Sequence, residues 1–594
     1  MKFRTLKNWD TQTNISALLF FAQRTEELLF DYTLDTYKPT ALNAPSLCNE
    51  ALLVLADVEA NVLDEANLEH VIAELEWSIQ RDRVAKSMLE ADLSRYLPKG
   101  DNITNAEKRL KLSVLTGVLN PYRYFERCVE FLADAITAEG KSDIDELARN
   151  LCTTAINLGQ SKEFLYRTTI DYFYYEDDHK FSDSLEGFSG FVKRIYPYSH
   201  HFDVYFLASS LLNTIHEGTQ HFKVEKIDAL PEKVEAFAKQ NGFLASADEV
   251  LVKIHDIATF DVFAARMEAE SRLSKLRDLF VLFSHKAQLR WRDEALIVQL
   301  CCDEKPAIVK KHRSSMEKGF DLRPAVAAKK MNWMLRNLTL SETGSYKRFD
   351  RVVELHGIGV TNNIPENQLL NLWISIETIT PSHVGQNKIS GVIASLKPTL
   401  MLNYITGLVE QVASDLINWD KYKAKKLLKS ISRVSIREAT LKLLALPDCE
   451  PKRKELYEAL ADFHLLRYRI FRLSESLGSP AKVRELLDGH DKKITWQIRR
   501  MYRTRNLVVH SGGSPTFIHA LIENGHNYLD QVISQIMLAS CGDCQLDHLD
   551  QVFEFSKIRY ERFERLIAEA DAFTNDNVIF LLGNKAFAAP RADA

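Results

Sequence analysis

Three residues near the end of a basic segment have the types and spacing needed for metal-independent cleavage of RNA. The stretch RRMYRTRNLVVHSGG (499–513) contains Arg505, Asn506 and, four residues later, His510. Histidine titrates near neutral pH and can act as a general acid or base. Arginine can offset the negative charge that develops on a phosphate. Asparagine can orient the phosphate or the attacking hydroxyl, so the three side chains supply one group for each task.

The segment KKITWQIRRMYRTR (492–505) is predicted to be the helix that positions these residues. It carries six Lys or Arg and no Asp or Glu, and its apolar residues recur at i, i+4, i+7 and i+8, which is the pattern of one apolar helix face. Gly512-Gly513 predicts the end of the helix. The basic residues are expected to lie away from the apolar face, either as a solvated surface or as ligands for RNA phosphates. The candidate RNA-binding residues are Lys492, Lys493, Arg499, Arg500 and Arg503.

A regular helix does not bring Arg505 and His510 together. Five residues at about 100° each place the two side chains roughly 140° apart around the helix axis. They converge on one phosphate only if the helix ends or bends between them, or if a second subunit completes the site.

The motif and the sequence around it resemble HEPN domains. RNLVVH (505–510) matches the R-x4-H pattern of these all-α domains, many of which are metal-independent ribonucleases of toxin–antitoxin, abortive-infection and other anti-phage systems. NQLLNLWISIETI (367–379) is similar to the helix that opens the ApeA/Abi-like branch, where Leu-Trp precedes an acidic residue, here Glu377. The SGG after His510 is also similar. The resemblance covers about residues 365–545.

The resemblance implies a role for each matching residue. His510 would activate the ribose 2′-hydroxyl or protonate the leaving 5′-oxygen, Arg505 would stabilise the transition state, and Asn506 would position the RNA backbone. Glu377 would belong to the site, although a surface or capping acid on an amphipathic helix explains it equally well. The family also implies a homodimer, an RNA substrate such as transfer RNA, a phage-derived trigger, and no metal or other cofactor.

Composition limits the alternatives. The chain has 594 residues, of which 46% are hydrophobic and 26% charged, and its net charge is −5. The negative balance argues against a generic nucleic-acid coat, so an RNA site must be a local basic patch. We find no uncharged apolar stretch long enough to span a membrane and no secretory signal. The eight cysteines are scattered along the chain, which favours a reducing cytoplasm over a disulfide framework.

Helical periodicity dominates the chain and predicts an all-α fold. Residues 68–97 and 245–283 repeat apolar residues at helical spacing, whereas the aromatic segment 164–178 is either a strand or a buried helix. HGIGVTNNIPEN (356–367) is rich in turn residues and predicts a boundary near Thr361. The predicted regions are a helical regulatory part (1–355, with a division near 217–233), a HEPN-like bundle (356–545), and a last helix with a tail (546–594).

Other cysteine and histidine patterns do not predict a metal site. CGDC (541–544) followed by His548 has the spacing of half a zinc site, without a second matching pair. Cys301 and Cys302 are adjacent and are expected to be poorly placed to chelate one ion together.

The sequence favours a cytoplasmic HEPN endoribonuclease of a defence or toxin system, whose long N-terminal region senses a trigger or restrains the site. The alternative is a non-catalytic helical scaffold whose HEPN-like domain binds RNA or nucleotide, or only dimerises.

Overall fold

The structure is a computed structural model. It describes residues 1–10, 15–31, 33–100, 103–176, 180–302, 305–317, 322–341, 344–382, 388–542 and 544–583. The described chain is 69% helical, with 24 α-helices and one small sheet. The predicted helical class is therefore confirmed for the chain as a whole, while the sheet was not predicted.

The first ten helices cover residues 16–195. They are α1 (Ser16–Leu29), α2 (Ala44–Glu59), α3 (Glu65–Arg81), α4 (Arg83–Met88), α5 (Leu93–Tyr96), α6 (Asn105–Val118), α7 (Pro121–Thr137), α8 (Lys141–Leu158), α9 (Lys162–Ile170) and α10 (Ser184–Ile195). The aromatic segment left open by its sequence pattern is helical, because α9 continues into a π-helical turn at Asp171–Tyr175.

Three further helices lie among the strands, and the remaining eleven follow them. The three are α11 (Leu212–Ile215), α12 (Glu232–Gln240) and α13 (Val262–Val281). The eleven are α14 (Pro324–Asn337), α15 (Ser345–Thr361), α16 (Pro365–Ile379), α17 (Lys388–Trp419), α18 (Lys421–Ile431), α19 (Ile436–Ala445), α20 (Glu450–Leu460), α21 (His464–Leu477), α22 (Pro480–Ser511), α23 (Ile518–Cys541) and α24 (Leu549–Glu569).

The sheet is antiparallel and has the strand order β2-β3-β1-β4-β5. Its strands are β1 (His200–Ser209), β2 (Val224–Ile227), β3 (Glu249–Thr259), β4 (Trp291–Gln299) and β5 (Ala307–Val309). The prediction of one helical stretch over 245–283 is therefore wrong for its first half. Val250, Val252 and Ile254 alternate with other residues at the strand period of two, and the helical period starts only with α13.

The chain forms two compact units. The main unit comprises residues 1–150, 180–185 and 314–594, and the inserted unit comprises residues 151–179 and 186–313. In the inserted unit, α13 packs its small residues Ala265 and Ala269 against one face of the sheet. Residues on both sides of Thr361 belong to the main unit, so the predicted functional division at that point stays a prediction.

The turn-rich stretch at 356–367 breaks the helical pattern later than predicted. Its first part, through Thr361, lies inside α15, and the break is confined to residues 362–364. Pro365 then occupies the first turn of α16, where its missing N–H costs no hydrogen bond.

The long helix α17 lies in the core of the main unit. It packs against α19, α22, α23 and α24. By length and composition it is the one helix of the described chain that could cross a membrane, but 61% of its apolar window is buried within the structure. Such burial is expected for the core helix of a soluble protein.

Candidate functional site

The predicted helix that carries the R-x4-H motif is confirmed. It is the C-terminal part of α22, whose N-terminus is capped by the Ser479 hydroxyl accepting from the Lys482 N–H. The helix ends at Gly512, which has φ +64° and donates its N–H to the carbonyl of Val508. This left-handed conformation favours glycine, so the local sequence both starts and stops the helix.

The three motif residues lie at the boundary between the core and the surface. Arg505 is half-buried, and its Nη1 donates a 2.9 Å hydrogen bond to Oδ1 of the buried Asn506. His510 is exposed on the last turn of the helix, and its ring has no hydrogen bond or ion pair in the described part of the chain. The guanidinium and the amide are therefore held together, whereas the imidazole is available to a ligand.

The helix does not bend between Arg505 and His510. Residues 480–511 are one uninterrupted α-helix, so the two side chains point roughly 140° apart around its axis. A helix end between the two residues, which was one predicted route to convergence, is excluded in this structure. A second subunit is the predicted route that remains.

In the described chain, Glu377 forms no hydrogen bond or ion pair with Arg505, Asn506 or His510. The first turn of α16 is hydrogen-bonded to the segment before α14, where Gln368 Nε2 donates to Ser314 Oγ at 2.7 Å. The neighbouring Ser315 bonds to His519 in the first turn of α23 at 2.8 Å, close in sequence to the end of α22. Glu377 lies nine residues beyond Gln368, about 13 Å further along α16.

The partner that Glu377 does have is Lys388. The Lys388 Nζ lies 3.0 Å from a Glu377 carboxylate oxygen, and the Glu377 side chain is only 15% exposed. A link between α16 and the motif helix exists at a different position, where the ring of the buried Trp373 lies 5.7 Å from that of Tyr502. The Leu-Trp dipeptide therefore contributes packing, and Glu377 contributes an ion pair between α16 and α17.

The expectation that Arg500 and Arg503 lie on an exposed face is wrong. Both are buried and form ion pairs with acids of the N-terminal helices. Arg500 Nη2 lies 3.1 Å from Glu50 of α2 and 2.5 Å from Glu74 of α3, while Arg503 Nη2 lies 2.8 Å from Glu50. Neither guanidinium is available to an RNA phosphate in this arrangement. We call Glu50, Glu74, Arg500 and Arg503 the buried ionic cluster.

The electrostatics of this cluster make Glu50 its central anion. Burial opposes ionisation of Glu50, but the charges of Arg500 and Arg503 outweigh it and hold the pKa of Glu50 below its usual value. At Glu74 burial dominates, and its pKa is raised. Because a buried charge is tolerated only with a partner, the position of α22 depends on the carboxylate of Glu50.

The other three predicted RNA-binding residues remain at least partly accessible. Lys492 and Lys493 are exposed, and Arg499 is half-buried. Surrounding protein and the nearby cations Arg149 and Arg81 lower the pKa of Lys493. Burial, reinforced by the charge of Arg503, lowers the pKa of Arg499. These three residues are the part of the predicted basic surface that can contact RNA.

Two groups of side chains in the described chain could hold a metal ion, and sequence reasoning missed both. In the main unit, His356 Nε2 lies 2.9 Å from His526 Nε2 and 3.4 Å from a carboxylate oxygen of Asp530. One ring N–H donating to the other ring explains the short distance without a metal. The i, i+4 pair of His526 and Asp530 on α23 was a readable signal, but His356 is 170 residues away.

The second group corrects a prediction. His200, Cys301 and Cys302 lie together in the inserted unit, and the two sulfurs are 3.7 Å apart. The expectation that these adjacent cysteines are poorly placed to chelate is therefore wrong. In the CGDC stretch, Cys541 is buried and Cys544 is exposed, and residue 543 lies outside the described residues.

Comparisons with protein-family models, with curated proteins and with solved structures found no match for this chain.

Proposed function

We propose that the protein is a metal-independent endoribonuclease of the HEPN type, acting in the cytoplasm as part of a defence or toxin system. The observation that carries the proposal is the pairing of Arg505 with Asn506, one turn before the exposed, unpartnered His510 at the end of α22. The pair offers a cation and an amide in fixed relation, and the histidine offers a proton carrier.

The proposed reaction needs no group beyond these residues, the RNA and water. The ribose 2′-oxygen attacks phosphorus while the bond to the 5′-oxygen breaks. His510 accepts the proton of the 2′-hydroxyl while water protonates the 5′-oxygen, or it protonates the 5′-oxygen while water accepts the proton of the 2′-hydroxyl. Arg505 balances the charge on the phosphorane-like transition state. The products are a 2′,3′-cyclic phosphate and a 5′-hydroxyl.

The proposed active form is a homodimer. Because α22 is continuous, His510 of one chain cannot share a phosphate with Arg505 of the same chain without a large change in the helix. A second copy that presents its own helix end to the same cleft would supply the missing group. The RNA itself, transfer RNA being the family expectation, would be held by Lys492, Lys493 and Arg499.

The N-terminal helices α2 and α3 would restrain the motif helix α22. Glu50 and Glu74, on α2 and α3, neutralise arginines of the helix that carries the motif, and Trp77 of α3 packs edge-on against Trp496 at 5.1 Å between ring centroids. Residues 1–150 are thus part of the main unit and not a separate lid. A fragment of residues 356–594 would leave Arg500 and Arg503 without their anions, so full-length point variants are the appropriate test.

The first experiment is cleavage of total cellular RNA in EDTA by the full-length protein. We expect the wild type to produce cyclic-phosphate ends and the His510→Ala and Arg505→Ala variants to produce none. The matched controls are His285→Ala and Arg484→Ala, which remove exposed side chains that are not part of the motif. Cleavage retained in both motif variants would refute the proposed site.

A mixing experiment tests the dimer. If each site takes Arg505 from one chain and His510 from the other, an equal mixture of the two inactive variants contains half mixed dimers, each with one intact site. About a quarter of the wild-type activity should return. No recovery, under conditions where mixed dimers are demonstrated by differently tagged chains, would show that the two residues act within one chain.

The alternative function is a non-catalytic scaffold that binds RNA or nucleotide, or only dimerises, through the HEPN-like region. The 140° separation of Arg505 and His510 favours it if the protein is a monomer. The discriminating measurement is growth on overexpression. Toxicity that disappears in His510→Ala supports the nuclease, and tolerance of both proteins together with RNA binding unaffected by His510→Ala supports the scaffold.

A further inference from the structure

A histidine and two adjacent cysteines meet at one end of the sheet in the inserted unit. His200 Nδ1 lies 3.3 Å from Cys301 Sγ and 3.9 Å from Cys302 Sγ, and the two sulfurs are 3.7 Å apart. Both cysteines are exposed and His200 is half-buried. Of the eight cysteines only three are exposed, and two of those three are in this group.

The fold fixes the positions of these residues. His200 begins β1, and its neighbour strand β4 ends at Gln299, which pairs with Phe202. The next residue, Leu300, donates its N–H to the carbonyl of His201 at 2.8 Å. The chain then bends at Cys301 and Cys302, so the two side chains do not alternate as they would in a strand. The bend brings both sulfurs to the side of His200.

The three distances match those between the ligands of a tetrahedral zinc ion. With Zn–S of about 2.3 Å and Zn–N of about 2.05 Å, tetrahedral angles require about 3.8 Å between two sulfurs and about 3.6 Å between nitrogen and sulfur. The observed sulfur–sulfur distance is 3.7 Å, and the observed nitrogen–sulfur distances of 3.3 and 3.9 Å lie on either side of the ideal value.

We propose that His200, Cys301 and Cys302 bind one Zn²⁺ ion and that no other residue of the described chain occupies its fourth coordination position. The ion replaces the two thiol protons, which are released, and a neutral imidazole with two thiolates leaves the centre uncharged. Three protein ligands and an open position are the arrangement of zinc sites that bind a water molecule or an exchangeable ligand. The proposal is independent of RNA cleavage, because its residues all lie in the inserted unit.

The surrounding residues suit the ion. Gln299 Nε2 lies 3.2 Å from His200 Nδ1 and 3.9 Å from Cys301 Sγ, so on metal binding its amide can donate to the thiolate. A backbone hydrogen bond from His201 lowers the pKa of the Cys301 thiol, which favours the thiolate form that ligates metal. Such outer contacts commonly change metal affinity by about 10- to 100-fold.

The test is titration of the reduced, metal-free, full-length protein with Co²⁺ and then with Zn²⁺. Cobalt bound by thiolates gives an intense sulfur-to-metal charge-transfer band, which an ion held by His356, His526 and Asp530 cannot produce. We expect this band to saturate at one ion per chain and to disappear when Zn²⁺ displaces the cobalt.

Matched variants decide which residues are responsible. Cys301→Ser, Cys302→Ser and His200→Gln should each weaken Zn²⁺ binding at least tenfold, measured by competition with a chromophoric chelator. Cys544→Ser and His201→Gln remove another exposed cysteine and an adjacent exposed histidine, and should leave binding unchanged. Absence of the charge-transfer band in the reduced wild type would overturn the proposal, as would an unchanged band in the Cys301→Ser/Cys302→Ser double variant.

Discussion

Replacing Glu50 by glutamine should destabilise the main unit far more than loss of an ordinary ion pair. The change keeps the shape of the side chain but removes the charge that faces Arg500 and Arg503. The buried ionic cluster has two cations and two anions, so the variant leaves one buried positive charge without a partner.

The magnitude follows from the burial of the cluster. The side chains of Glu50, Arg500 and Arg503 are 6%, 2% and 5% exposed, so solvent cannot replace the lost charge. Removing one partner of a buried pair typically costs about 3–5 kcal/mol. We expect a loss in that range in the free energy of unfolding of the main unit.

The assay is urea unfolding followed by tryptophan fluorescence, since Trp77 and Trp496 lie in contact at the interface between α3 and α22. The matched control is Glu455→Gln, which breaks an exposed pair with Lys452 and should cost less than about 1 kcal/mol. Adding Arg503→Met to Glu50→Gln restores the charge balance and should recover part of the loss. Arg503 is the better partner to remove, because its Nε already has no hydrogen-bond partner.

Two results would refute this reasoning. A Glu50→Gln variant as stable as Glu455→Gln would show that the cluster is solvated or rearranges. Strictly additive effects of Glu50→Gln and Arg503→Met would show that the two residues do not interact.

Three further predictions concern the helix end, a titrating histidine and a basic residue. Gly512→Ala forces an L side chain into a left-handed conformation at a cost of roughly 1–2 kcal/mol. The variant should increase hydrogen exchange at the last turn of α22 and reduce RNA cleavage. Gly512→Asn should have smaller effects on both. Burial lowers the pKa of His490, stacked on Tyr404, to about 3. Its contribution to stability is complete above the unfolded pKa near 6.5 and is lost as pH falls towards 3, with a slope of up to about 1.4 kcal/mol per pH unit. The urea midpoint of His490→Gln should therefore depend less on pH between 7 and 5 than that of the wild type, and an equal dependence would contradict the assignment. If the exposed Lys493 contacts an RNA phosphate, Lys493→Gln should weaken RNA binding and lower the slope of affinity against salt concentration by about one; an unchanged affinity and slope would remove Lys493 from the RNA surface.

Local signals were sufficient to predict the motif helix and its end. The apolar spacing within residues 494–502 and Gly512-Gly513 act over a few residues, and the structure has both the helix and the left-handed cap. The strands at 249–259 and 291–299 were missed because their neighbours in the sheet are distant in sequence. A helical pattern that begins at Val262 was extended backwards over β3.

The roles of the basic residues could not be read from the sequence for the same reason. Arg499, Arg500 and Arg503 look alike in a basic segment, but Arg500 and Arg503 find their anions 426 to 453 residues earlier. No local pattern contains that information. The adjacent cysteines are the opposite case, since the bend that aligns them is local but has no distinctive sequence.

The separation in sequence between the acids and arginines of the buried ionic cluster also sets an order for folding during synthesis. At about 5–20 residues per second, the 450 residues between Glu50 and Arg500 take roughly 20–90 s to emerge. Meanwhile the inserted unit, with its own sheet and apolar cluster, is already complete in sequence. Glu50 of α2 and Glu74 of α3 therefore have no arginine partner in α22 until that late helix has been synthesised. The proposed nuclease motif is therefore always synthesised after α2 and α3, whose acids neutralise the neighbouring Arg500 and Arg503.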